Sequence, residues 1–246
     1  MWAFPYKKKL GLKLIAQPML TLGLAPTTPS SDLLTKLPSF DLLDIYLLPG
    51  NETSPQRGLK ISSRNTHRLL DLSDLKKVFS SFSSSTRQQI RKAEKKIKVE
   101  SSENIELLYK MVSLTFKRQS KKTPYSLAYV KRINEACEKH KCRKILVGRD
   151  EEGNIHGACF LAWDKQTAYY IMGGSDPKFR SSAAYSLLMW AAIQEASRHS
   201  KQFDFCGSSI ASVAKFFKGY GSEEVAYSHV KKVNSKALGF LLKLKS

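Results

Sequence analysis

Negative charge is scarce in this chain: 21 Asp/Glu stand against 41 Lys/Arg among 246 residues, for a formal net charge of +20. A surplus of that size points toward polyanionic partners. Long apolar runs are missing too. No segment approaches the ~18 uninterrupted apolar residues that a membrane span requires, so no spanning helix is expected. The four cysteines, Cys137, Cys142, Cys159 and Cys206, have neither zinc-ligand spacing nor the pattern of a disulfide framework. That excludes a stapled secreted scaffold and fits a reducing cytoplasm. The five histidines, His67, His140, His156, His199 and His229, do not cluster as metal ligands, so no metal is expected. No repeat recurs along the chain.

The first residues imitate a secretory signal, with Lys7-Lys8-Lys9 ahead of the apolar stretch from Leu10 to Ala25. Lys13, Gln17 and Pro18 interrupt that stretch and argue against export. An apolar content of 42% over this length can bury a core, as one large domain or two small ones. The positive charge is uneven. Residues 81–150 hold 18 Lys/Arg against 7 Asp/Glu, whereas residues 1–80 hold 11 against 6 and residues 151–246 hold 12 against 8.

The sharpest basic segment is Thr86 to Lys98, TRQQIRKAEKKIK, which lacks Pro and Gly and can run as a helix after the serines at 80–85. At helical spacing Arg87, Arg91 and Lys95 share one stripe, and Arg91, Lys95 and Lys98 an adjoining one. The geometry suits a row of phosphates and equally a solvated face beside Ile90, Ala93 and Ile97.

Periodicity and punctuation predict a strand over 40–48, a turn-rich loop over 50–60, and a short strand over 66–72 leading into a helix capped at Ser73. Two helices follow, over 104–118 and 126–140. Strands are expected at 144–148, 155–163 and 167–172, the first two joined by a hairpin turn at 150–154. A helix over 179–200, the strand Phe203-Asp204-Phe205, a second helix and a last strand complete an α+β, or mixed α/β, domain.

The stretch Tyr169 to Gly221 carries most of the chemistry. Gly173-Gly174 ends an aromatic strand, and glycine there permits a bulge and close backbone approach, or marks a plain turn. Arg180-Ser181-Ser182 opens the helix, where free N–H groups and the helix dipole make an anion pocket, or where a serine simply caps. Asp204, between two phenylalanines, must be paired. It could position a base or an amine, but a structural role is favoured, either capping Ser208 or pairing with an Arg or Lys.

The ordered set R-x-x-I-R-K-A-E-K at Arg87 to Lys95, the Gly-Gly-Ser-Asp block at 173–176, the F-D-F-x-G strand and the closing F-K-x-Y-G at 217–221 resembles the Fem-type branch of the GNAT-fold N-acyltransferases. The segment Lys7 to Pro18 is similar to the amino-terminal half of the same branch. The resemblance implies two GNAT-like subdomains, with residues 1–80 a truncated first one and 81–246 a complete second.

The activity it implies is transfer of an acyl or aminoacyl group to an amine acceptor, such as a peptidoglycan precursor. Acyl-CoA or aminoacyl-tRNA would be the co-substrate, with no tightly bound cofactor. Gly173 and Gly174 would hold the donor arm where two strands part, and Arg180, Ser181 and Ser182 its phosphates. Ala183 and Tyr185 stand where a pyrophosphate loop has glycines, and are expected to crowd the phosphate. Phe217, Lys218 and Tyr220 would lie at the reacting centre, although Phe217 also fits a core position and Lys218 a solvated helix end. Arg87, Arg91 and Lys95 would face RNA. The competing reading is a non-catalytic basic module that binds RNA or an acidic partner, or the remnant of a truncated transferase.

Overall fold

The computed structural model describes residues 4–21, 23–24, 37–51, 58–207 and 210–243. The turn-rich loop expected over 50–60 lies mostly outside them, as does Ser208. The chain divides into two compact units, Met1–Thr66 with Val225–Ser246, and His67–Glu224. Sequence reasoning had placed a division near residue 80.

The smaller unit begins with the hairpin β1 (Tyr6–Lys9) and β2 (Leu12–Ala16), followed by β3 (Leu42–Leu47). β2 pairs with β3 in parallel. β3 pairs antiparallel with β10 (Glu223–Val233), with Ile45 opposite Val230. Alternate residues of β3 point inward, and Ile15, Leu43, Ile45, Leu47 and Val230 form a small core. A helix, α7 (Lys236–Lys243), closes the described chain. Both residues of the β1–β2 turn have positive φ, Leu10 at 51° and Gly11 at 76°, as a two-residue hairpin turn demands. Glycine adopts that conformation freely, but leucine does so at a cost of about 1–2 kcal/mol.

The larger unit takes the end of β4 (Lys60–Leu69), then α1 (Leu75–Ser81), α2 (Ser84–Glu94), β5 (Ile97–Ser102), α3 (Ile105–Arg118) and α4 (Leu127–Lys139). Next come β6 (Arg143–Asp150), β7 (Ile155–Trp163), β8 (Thr167–Ser175), a 3-10 segment (Pro177–Ser182), α5 (Ala184–Ala196), β9 (Gln202–Asp204) and α6 (Ala211–Lys218). Its strands lie in the order β4-β9-β8-β7-β6-β5. All neighbouring pairs with a recorded register are antiparallel except β8 with β9. α3 and α5 both pack on β7, whose residues His156 to Leu161 are buried on both faces. That is why this strand reads as a nearly unbroken apolar run instead of an alternating one. α5 is buried almost all round, the mark of a helix inside a core. Among the described residues no helix is long and apolar enough to cross a membrane.

Four boundaries differ from the sequence expectations. Asp74, not Ser73, caps α1, its carboxylate accepting from the Lys76 and Lys77 amides. α2 starts inside the serine run, capped by Ser83, and ends at Glu94. Lys98 therefore leaves the helical stripe for β5, where it pairs with Arg149. The expected helix over 179–200 begins as a 3-10 segment and turns helical only at Ala184, because Ala183 adopts a left-handed φ of 57°. β4 begins at Lys60, six residues early.

Candidate donor-binding and transfer site

β8 and β9 stay paired for only three residues, Thr167 to Tyr169 against Gln202 to Asp204. β8 then continues to Ser175, while β9 ends and the chain turns at Cys206 with a φ of 63°. Asp204 fixes this fork. Its carboxylate accepts from Arg68 Nε at 2.6 Å and from the Cys206 amide at 2.7 Å, and both side chains of the ion pair are almost fully buried. The favoured structural partner for Asp204 is thus Arg68, its register mate across the β4–β9 pair. Burial pushes the Cys206 thiol well up, with Asp204 adding to the shift, so it stays protonated and weakly nucleophilic.

Gly173 and Gly174 continue β8 opposite Cys159 and Ala158, and the strand irregularity falls between Met172 and Tyr170, at Ile171. The glycines admit close neighbours. A Cβ on Gly174 would come within 2.6 Å of the Val112 nitrogen on α3, and one on Gly173 would fall on the Tyr185 hydroxyl. Tyr185 and Tyr170 join hydroxyl to hydroxyl there, and sequence reasoning missed the pair. The Tyr185 ring also lies against Gly157. It therefore packs back on the sheet.

Burial raises the Tyr170 and Tyr185 hydroxyls far above their usual value, and pushes Tyr125 and Tyr169 up to about 12. Each is a neutral phenol in the fold but titrates near 10 in an unfolded chain. A raised folded value contributes stability that is complete below pH 10 and is lost as pH climbs above it. We expect Tm to hold to about pH 10 and then to fall, with phenolate absorbance rising together with unfolding. A Tm unchanged to pH 12 would contradict this.

The connection from β8 into α5 is clamped from two sides. His156 is buried and stacks on Phe179 with centroids 4.2 Å apart. Its Nδ1 lies 2.8 Å from Ser182 Oγ and its Nε2 2.9 Å from Asp150 Oδ2. Hydrogen bonding to His156, and then to Asn154, holds the Asp150 carboxyl down at about 2. Ser182 donates to the Phe179 carbonyl and accepts from the Ala184 amide, which satisfies one free N–H of α5. Lys92 of α2 donates to the Ser181 carbonyl at 3.2 Å, and Ser186 donates to Gln89 one turn earlier on α2. Arg180 and Ser181 are exposed beside it. Lys92 lies off the stripe that helical spacing draws through Arg87, Arg91 and Lys95, and sequence reasoning missed it.

The expected reacting residues lie apart in burial. Tyr220 is fully buried and donates to the Ser186 carbonyl at 3.2 Å, with Phe82 5.1 Å and Phe216 5.2 Å from its ring. Phe217 is buried against Phe205, 4.9 Å away. Lys218 is exposed and pairs with Glu224 at 2.6 Å. His67, which no sequence signal marked, is buried 6.1 Å from Phe217 and 3.4 Å from Ser222 Oγ. Burial lowers its pKa, which Glu224 partly opposes and Lys218 reinforces. A cavity of about 250 Å³ nearby is lined by Arg68, Asp71, Asp74, Lys77, Gly221 and Glu223, among others.

The basic helix divides in the same way. Arg87 donates to the Ser80 and Phe82 carbonyls and so closes the end of α1. Arg91 and Lys95 are exposed, opposite the buried Thr86, Ile90 and Ala93.

An Acetyltransferase (GNAT) domain matches residues 80–218, more than half of the chain. No curated protein matches it by sequence. Among solved structures it is similar to FemX, at 15% identity and a TM-score of 0.61 over 72% of this chain and 63% of that one. It is also similar to the C-terminal domain of a putative lysylphosphatidylglycerol synthetase from Agrobacterium fabrum, at 12% identity and a TM-score of 0.54 over 76% and 65%. A tandem GNAT protein from the clavulanic acid biosynthesis pathway gives 10% identity and a TM-score of 0.50 over 77% and 62%. The chain thus spans less than two thirds of each of these structures. A forked pair of parallel strands joined through a buried helix, with this domain match across all three, places the chain in the GNAT acetyltransferase-domain family, with a Fem-like fold.

Proposed function

We propose that the chain is an N-acyltransferase that moves an acyl group from coenzyme A, or an aminoacyl group from charged tRNA, onto an amine such as that of a cell-wall precursor. The observation that carries this reading is the fork between β8 and β9 at Asp204, opening toward Tyr170, Gly173 and Tyr185. A neutral amine attacks the donor carbonyl, a C–N bond forms, and the tetrahedral oxyanion needs donors already in place. The bond to sulfur, or to the tRNA ribose oxygen, then breaks, and the leaving group takes up a proton from Tyr185 as the phenol recovers the one that the amine gives up.

Tyr185, with Tyr170 behind it, remains a protonated phenol at any physiological pH and is the proton donor in this scheme. Gly173 and Gly174 let the Tyr185 hydroxyl and α3 close against β8 and so hold the phenol beside the donor arm. Arg180, Ser181 and Ser182, together with Lys92, offer cations and amides to its phosphates. Lys218 offsets charge near the reacting centre, while Phe217 and Tyr220 position α6 beneath it. Asp71, Asp74 and Glu223, lining the neighbouring cavity, suit a cationic acceptor. A cytoplasmic setting belongs to the same reading.

The test is mass-spectrometric detection of a modified amine after incubation with a panel of acyl-CoAs and charged tRNAs. Transfer from any one of them supports the reading, and none from all of them overturns it. Lys218→Ala should lower turnover about tenfold while Tm stays put, because an exposed ion pair contributes only about 0–1 kcal/mol.

The exposure of Arg91 and Lys95 favours a second reading, a non-catalytic RNA-binding module. On that reading RNA affinity falls in Arg91→Ala/Lys95→Ala and no donor gives transfer.

A further inference from the structure

The three lysines that imitate a signal sequence are used in none of the above. They form β1, all four of whose residues are exposed, and they lead to Leu10, which is 93% exposed at the hairpin tip. Two local costs meet in this hairpin. Leu10 occupies a left-handed turn position that asparagine or glycine fills more readily. Lys8 stands directly opposite Lys13 in the register, a like-charge pair that opposes strand pairing. The register puts Lys8 and Lys13 on one face and Lys7 and Lys9 on the other, so cations flank the apolar tip on both sides. The surrounding unit repeats the bias, with 8 Lys/Arg against 4 Asp/Glu before residue 67 and five Lys with no acid after residue 224.

We infer that the β1–β2 hairpin is a docking tip for an anionic lipid surface, Leu10 entering the interface while the lysines on both faces meet acidic headgroups. Charge complementarity selects an anionic partner. The naked leucine selects a lipid over a nucleic acid, because its burial gains from an acyl region and nothing from a phosphate groove. An aromatic tip would instead have suited base stacking.

The test is cosedimentation of the full chain with vesicles of phosphatidylcholine alone or mixed with phosphatidylglycerol. Binding should require phosphatidylglycerol and weaken with salt. It should fall more than 100-fold in Lys7→Glu/Lys8→Glu/Lys9→Glu and about tenfold in Leu10→Asn. Leu10→Asn separates function from structure, for an Asn-Gly turn should raise Tm while it weakens binding. The inference is overturned if vesicles are not bound, if phosphatidylcholine binds equally, or if Leu10→Asn binds like the parent. It is overturned equally if single-stranded RNA, and not vesicles, is what the three lysines hold. None of these outcomes depends on acyl transfer.

Discussion

Replacing Arg68 with alanine is expected to lower the free energy of unfolding by about 3–5 kcal/mol, the largest effect of any single charge change in this chain. The reason is the partner left behind. Asp204 is 2% exposed at the side chain, and without the guanidinium it must hold a charge in the interior or take up a proton. The Cys206 amide would still donate to it, but a neutral donor does not replace an ionic one. Denaturant unfolding reads the loss directly. A double replacement, Arg68→Met/Asp204→Leu, should recover most of the stability, since isosteric apolar pairs often substitute for buried ion pairs. It should not recover transfer activity, because Asp204 also fixes the turn that ends β9. A loss below about 1 kcal/mol in Arg68→Ala, the scale of exposed pairs, would show that the pair does not hold the fork.

Removing the Tyr185 hydroxyl is the most informative change to the chemistry. Tyr185→Phe keeps the ring against Gly157 and Gly173 and leaves Tyr170 as a lone phenol. Loss of a positioned acid lowers rates by about 10²–10⁴-fold, so kcat should drop by at least 10² with KM for the donor little changed. The parent enzyme's alkaline limb should stay flat to high pH, as burial holds this hydroxyl far above its usual value. Equal turnover in Tyr185→Phe would remove the phenol pair from the reaction and leave positioning alone to account for the rate.

Much of this architecture can be read from the residues. The hairpin at 150–154, the helices near 105–118 and 127–139 and the short strand ending at Asp204 follow from period and punctuation. β5 was hidden because Lys98 continues the basic pattern of α2 while only Ile97 is buried. The late start of α5 was hidden because alanine at 183 gives no warning of a left-handed φ. Residues of the candidate site divide along the same line. Arg180 is legible, since one helix start locates it. The Tyr170–Tyr185 pair and the Asp150–His156–Ser182 chain are not, since each joins a strand residue to one that only the packing of α5 and its 3-10 lead-in on the sheet brings near.

The return of β10 beside β3 has a consequence for how the molecule is made. His229 bonds Asp44 across 185 residues, so the small core around Ile45 and Val230 lacks its last wall until the final strand leaves the ribosome. The unit from His67 to Glu224 holds its own sheet and helices and can assemble first. Synthesis should therefore yield a nascent chain in which the interior segment resists protease while the opening residues do not, the reverse of the usual front-to-back order.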